Sequence, residues 1–111
     1  MNFQKPYLQD MLTAIEKIME DSDNISFEVF LKNHTVHDSI MYNFIIIGEA
    51  TKRISEDFKQ INNTIEWHKL IGMRNHLAHS YDEINYTVIW ETIKVHLPQL
   101  KTQIQTIIQN L

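Results

Sequence analysis

Apolar side chains recur at intervals of three and four along most of this sequence, the spacing that lines one face of an α-helix. Only two glycines and two prolines occur in 111 residues, too few turn-formers for a many-stranded β protein, and the apolar content argues against disorder. Tyr7, Leu8, Met11, Leu12, Ile15, Ile18 and Met19 mark a first amphipathic helix, which Pro6 can open near its first position and which ends around Asp21-Ser22-Asp23-Asn24. Ser26 can cap a short helix through Lys32 that buries Phe27, Phe30 and Leu31. Thr35-Val36-His37-Asp38 has capping-box spacing and precedes a long apolar pattern through Ile40, Met41, Phe44, Ile47, Ala50, Ile54 and Phe58. Ile45 and Ile46 widen the face of this central helix, so it is expected to touch more than one neighbour, another subunit among them.

Asn62-Asn63-Thr64 breaks the pattern, and a further helix is expected from about Glu66 to Ser80. A turn at Asp82-Glu83 and Asn85 leads into a last helix carrying Ile89, Trp90, Ile93, Leu97, Leu100, Ile104 and Ile107. Pro98 lacks a backbone donor and crowds the preceding turn, which predicts a kink or short break there. No repeat, linker or low-complexity stretch divides the chain. The expectation is one all-α domain spanning residues 1–111, an up-and-down antiparallel helical bundle of four long helices plus one short helix.

With 14 acidic and 10 basic side chains, a formal charge of −4 and a pI near 5.8, the chain should attract nucleic acid only weakly overall. The absence of cysteine excludes disulfides and thiolate metal sites. The longest unbroken apolar run, Phe44 to Ile47, is far short of the ~20 residues of a membrane span, and the N-terminus carries no signal pattern, so a soluble cytoplasmic protein is expected.

From Trp67 to Tyr81 the sequence WHKLIGMRNHLAHSY contains no carboxylate. Lys69 and Arg74 are fixed cations, and His68, His76 and His79 can add charge near neutrality, because free imidazole titrates around 6.5. On a helix, Asn75 and His79 lie about 40° apart and Arg74 and His79 about 140°, a gap that a long arginine can reach around. A guanidinium offers a planar fork to phosphate oxygens, an imidazole moves protons near pH 7, and an amide can orient either. That set suits phosphodiester cleavage. The spacing fits equally a structural arrangement in which Arg74 pairs with a carboxylate such as Glu49 and His79 is a hydrogen-bonded core residue. Lys52, Arg53 and Glu49 could line a cleft or brace the central helix. The pairs His34/His37 and His76/His79 have a spacing that could offer two rings to zinc, but neither has a carboxylate with an obvious ligand role, and no metal or cofactor is expected. His34, His37 and His96 read as surface residues.

The stretch Gly72-Met73-Arg74-Asn75-His76-Leu77-Ala78-His79-Ser80-Tyr81 resembles the R-x4-H-x-Y signature of HepT-like toxins, a branch of the HEPN ribonucleases. Tyr7-Leu8-Gln9-Asp10, Ile47-Gly48-Glu49-Ala50, Lys52-Arg53, Trp67, Ile89-Trp90 and Leu97-Pro98 extend the resemblance over nearly the whole chain. Tyr42, Ile45, Glu66 and Asn85 depart from the usual pattern, where arginine, glutamate, proline and aspartate are common.

The resemblance implies a metal-independent endoribonuclease acting at the cleft of a homodimer. Arg74 and His79 would be catalytic and Asn75 a polar orienter, with Lys69, His76, Lys52 and Arg53 as possible substrate contacts. Attack by a ribose 2′-hydroxyl would leave a 2′,3′-cyclic phosphate. It further implies a toxin whose partner antitoxin, an MntA-like minimal nucleotidyltransferase, transfers AMP to Tyr81. The residues alone allow Tyr81 a packing role instead. The alternative of a different class is a noncatalytic module that binds a nucleotidyltransferase or a nucleotide.

Overall fold

A computed structural model describes residues 3–79 and 81–111, the side chain of residue 81 excepted. Among the described residues seven α-helices follow one another: α1 (Lys5–Ser22), α2 (Phe27–Lys32), α3 (His34–Arg53), α4 (Glu56–Ile61), α5 (Trp67–His79), α6 (Tyr86–Glu91) and α7 (Leu97–Gln109). A 3₁₀ turn, Tyr81–Glu83, precedes α6, and a π-helical turn, Thr92–His96, joins α6 to α7. The all-α bundle expected from the apolar spacing is the architecture observed.

Local signals account for most boundaries. Pro6 stands in the first turn of α1, where its missing N–H costs nothing. Beyond the end of α1, Asn24 takes φ 60°, the left-handed conformation asparagine tolerates. Ser26 caps α2 by accepting from the Val29 N–H at 3.1 Å, and Asn85 caps α6 by accepting from the Val88 N–H at 3.3 Å.

Two expectations about the central helix need correction. Its cap is Asn33, whose Oδ1 accepts from the Val36 N–H at 3.2 Å, so the helix begins at His34 and the Thr35 capping box is not used. Its apolar pattern also overshoots. The backbone of Ile54 is extended (ψ 136°), and Ser55 Oγ accepts from the Phe58 N–H at 3.2 Å, starting the separate helix α4. Periodicity cannot see this break, because Phe58 keeps its apolar register across it.

α1 and α3 form the antiparallel heart of the bundle. Ser55 N–H donates to Gln4 Oε1 (3.1 Å), Thr51 meets Met11 in the middle, and Ser39 Oγ donates to Asp21 Oδ2 (2.6 Å) at the far end. Leu8, Met11, Ile15 and Ile18 from α1 meet Ile40, Phe44 and Ile47 from α3 and Ile93, Leu97 and Ile104 from the last helical rod in one buried core. Each fully buried aliphatic or aromatic side chain there contributes on the order of 1.5–3 kcal/mol. The rod from α6 to α7 does not break at Pro98. It widens before it, the Leu97 N–H reaching back five residues to Thr92 O, which relieves the crowding a proline imposes one turn upstream.

Two side chains differ from their expected environments. Leu31 is exposed rather than buried. His37 is not a surface residue: its ring stacks on Phe30 (centroids 5.4 Å) and lies against Tyr86 (5.1 Å), in an aromatic group that includes Phe27 and Trp90. Lys94 closes that group, lying 4.6 Å over the Trp90 ring and donating to Ser22 O at 3.0 Å. Among the described residues, no helix is long and apolar enough to cross a membrane.

Candidate active site on helix α5

α5 is held at its start and at one point near its end. Trp67 is buried and its Nε1–H donates to Asn62 O at 3.1 Å, while Leu77 is the only other buried residue of the helix among those described. Leu70 and Met73 are half-buried against the core. His68, Lys69, Gly72, Asn75, His76, Ala78 and His79 are left exposed. So polar an outer face leaves its imidazoles open to a ligand, which a core helix would not.

Arg74 takes a different course. Its stem runs inward over Gly48 of α3, and its Nε contacts Glu49 Oε1 of the same helix. Both contacting atoms are shielded from water, although the side chains as wholes are 21% and 39% exposed, so the ion pair is dry at its centre and wet at its edge. It is an ionic contact rather than an aligned N–H···O bond. Arg74 Nη1 donates to Asn75 Oδ1 at 3.1 Å. Among the described residues the guanidinium has no other partner, so much of its donor fork is uncommitted.

The carboxylate-free stretch of sequence is therefore not carboxylate-free in space. Glu49 crosses from α3 and offsets one positive charge. At the other end of the helix, Lys69 Nζ pairs with Glu66 Oε2 at 2.8 Å. That hydrogen bond, and then the charge of Lys69, hold the Glu66 carboxyl below the usual glutamate range.

The predicted residues are thus brought together in part. Arg74 and Asn75 are in direct contact, and His79 is exposed one turn beyond Asn75 on the same helix. No hydrogen bond joins Arg74 to His79 among the described residues. His76 is exposed, and Lys69 is engaged with Glu66. Lys52 and Arg53 sit exposed in the last turn of α3, and no hydrogen bond or ion pair among the described residues ties them to α5. The Tyr81 side chain lies outside the described residues, as does Ser80. A cavity of about 360 Å³ between α3, α5 and the last rod has mostly apolar walls, including Phe44, Ile47, Leu70, Met73 and Leu100. Of the predicted site residues whose side chains are described it touches only Lys69, so it is separate from Arg74, Asn75, His76 and His79. Among the described residues no three histidine or carboxylate groups converge as metal ligands would.

Gly48 stands in the sequence only as part of the Ile47-Gly48-Glu49-Ala50 stretch, with no role of its own. A glycine inside an apolar helical pattern costs about 1 kcal/mol relative to alanine, and an unforced cost of that kind signals close approach by another element.

Comparison with known proteins places the chain in a family. The family described as "Ribonuclease HepT-like" matches residues 11–107. A relative from Caldanaerobacter subterraneus subsp. tengcongensis, provisionally named an RNase, is 36% identical over 109 residues, covering 98% of this chain and 97% of its own. "Probable ribonuclease HepT" of Thermococcus cleftensis is 39% identical over 97 residues, covering 87% and 88%. No solved structure matches the chain. With nearly the full length of the helical bundle matched, Arg74 and His79 included, the chain belongs to the HepT-like ribonuclease family.

Proposed function

We propose that this protein is an endoribonuclease in which His79 moves protons and Arg74 stabilises the charge developing on the phosphoryl oxygens, with no metal required. The chain works as one domain, residues 1–111, in the cytoplasm. The ribose 2′-hydroxyl attacks the adjacent phosphorus, and the bond to the 5′-oxygen of the next nucleotide breaks. The products are a 2′,3′-cyclic phosphate and a 5′-hydroxyl. The observation that carries this reading is the pairing of Arg74 Nη1 with Asn75 Oδ1, on the same helix that presents His79 to solvent one turn further on. A guanidinium held by an amide, on a helix that also carries an accessible imidazole, offers the two groups the reaction requires, one for charge stabilisation and one for proton transfer.

In this reading two copies pair so that their α5 helices share a cleft, and Lys69, His76, Lys52 and Arg53 add phosphate contacts. The protein is the toxin of a type VII-like toxin-antitoxin system. A nucleotidyltransferase antitoxin neutralises it by transferring AMP to Tyr81, placing a phosphodiester charge and a nucleoside beside the site that must receive RNA. The test is expression alone and with the neighbouring gene product, combined with intact mass and product analysis. Growth arrest relieved by His79→Ala, cleavage that survives EDTA, cyclic-phosphate ends, and AMP on a Tyr81-containing peptide are the expected results. Equal harmlessness of the wild type and His79→Ala would overturn it.

The Arg74–Glu49 ion pair favours one second reading, a noncatalytic module in which Arg74 serves only to lock α5 to α3. That reading expects Arg74→Ala to lose stability while binding of a nucleotidyltransferase continues without any RNA cleavage.

A further inference from the structure

We propose that Gly48 and Glu49 are positioning residues for Arg74: Gly48 sets how near the arginine stem lies to α3, and Glu49 sets which edge of the guanidinium faces outward. The proposal rests on the ribonuclease reading above and assigns to that site two residues from a helix outside the motif.

A Cβ added at Gly48 would clash with Arg74 Cβ, lie 2.7 Å from its Cγ and 3.1 Å from Leu70 O. Two of these are not the ends of flexible side chains. Cβ is fixed to the α5 backbone and Leu70 O belongs to it, so any larger residue at position 48 must push α5 away. The other glycine of the chain, Gly72, has nothing within 4 Å of such a Cβ, so the close approach is particular to the point where Arg74 crosses.

With the stem fixed, the head of the side chain has three edges. Glu49 takes the Nε side in a contact closed to water, and the Asn75 amide takes Nη1. A guanidinium held by two neighbours from two helices loses most of its rotational freedom before substrate arrives. Its remaining Nη donors then face outward in a fixed direction. A carboxylate beside a phosphate-binding arginine weakens attraction for RNA, so its presence is a cost that orientation has to offset. Field and orientation therefore predict opposite effects when Glu49 is removed.

The experiment measures kcat and KM for RNA cleavage by Glu49→Ala, Glu49→Gln, Arg74→Ala and the Glu49→Ala/Arg74→Ala double variant, with Arg74 Nε–H observed by NMR in the first two. Misplacing a catalytic group by about 1 Å costs on the order of 10²-fold, so Glu49→Ala should lose kcat by about that factor while KM does not rise. Glu49→Gln, which keeps the length of the side chain and an oxygen against the Nε edge while removing the charge, should recover much of the loss. The double variant should be no slower than Arg74→Ala alone. A wild-type or raised kcat in Glu49→Ala would overturn the proposal. So would a fall in thermal midpoint with kcat per folded molecule unchanged, or losses that multiply in the double variant. If the wild type cleaves no RNA, the ribonuclease reading fails separately, and the Nε–H signal decides the positioning claim. A signal shifted by Glu49→Ala and restored by Glu49→Gln upholds it; one that ignores both overturns it.

Discussion

The stem of Arg74 fills the space above Gly48 that any other residue's Cβ would need, with Arg74 Cγ only 2.7 Å from that position. Arg74 is thus seated on the one glycine of α3.

Gly48→Ala should destabilise the protein by roughly 1–3 kcal/mol, as overpacking of a close contact does, and should lower activity with it. Gly72→Ala, placed in open space on the same helix pair, should stabilise by roughly 0.5–1 kcal/mol through the unfolded chain and the helix propensity of alanine. Chemical denaturation of the two variants checks both signs. Equal effects would mean that the close approach at Gly48 is absent in solution.

Arg74→Ala and His79→Ala should each slow RNA cleavage by on the order of 10²–10⁴. Only the first should also reduce stability, because Arg74 bridges α5 to α3 whereas His79 is exposed. Turnover and thermal midpoint measured side by side separate the two roles.

Cleavage should weaken steeply as salt is raised, since phosphate contacts release counterions. The slope of log kcat/KM against log salt should be shallower in Lys69→Ala than in the wild type if Lys69 contacts RNA, and unchanged if its engagement with Glu66 is its whole role.

The Glu66 carboxyl is held below its ordinary value by the hydrogen bond and charge of Lys69. A carboxylate lowered in the folded state adds stability that is fully present above its unfolded pKa and is lost as pH falls through the folded one. Glu66→Gln should therefore unfold at a slightly lower temperature than the wild type at neutral pH, and the two curves should converge in acid. The difference should be small because the pair is exposed. A gap that widens on acidification would contradict this sign.

The long helices and the set of polar side chains on α5 were legible in the sequence, because both depend on neighbours a few residues apart. Spacing of three and four located the long helices, Ser26 marked the start of α2 through its own side chain, and the R-x4-H-x-Y stretch gathered Arg74, Asn75 and His79 onto one helix. Contacts between residues distant in the chain were settled only by the fold. That Glu49 reaches Arg74, that Gly48 makes room for it, and that His37 enters an aromatic group all depend on how two helices cross. The end of α3 at Arg53 and the π turn before Pro98 show the same limit. A hydrophobic pattern records which side of a helix is buried, while caps, carbonyl clashes and packing against other segments decide where the hydrogen-bonded ladder stops or widens.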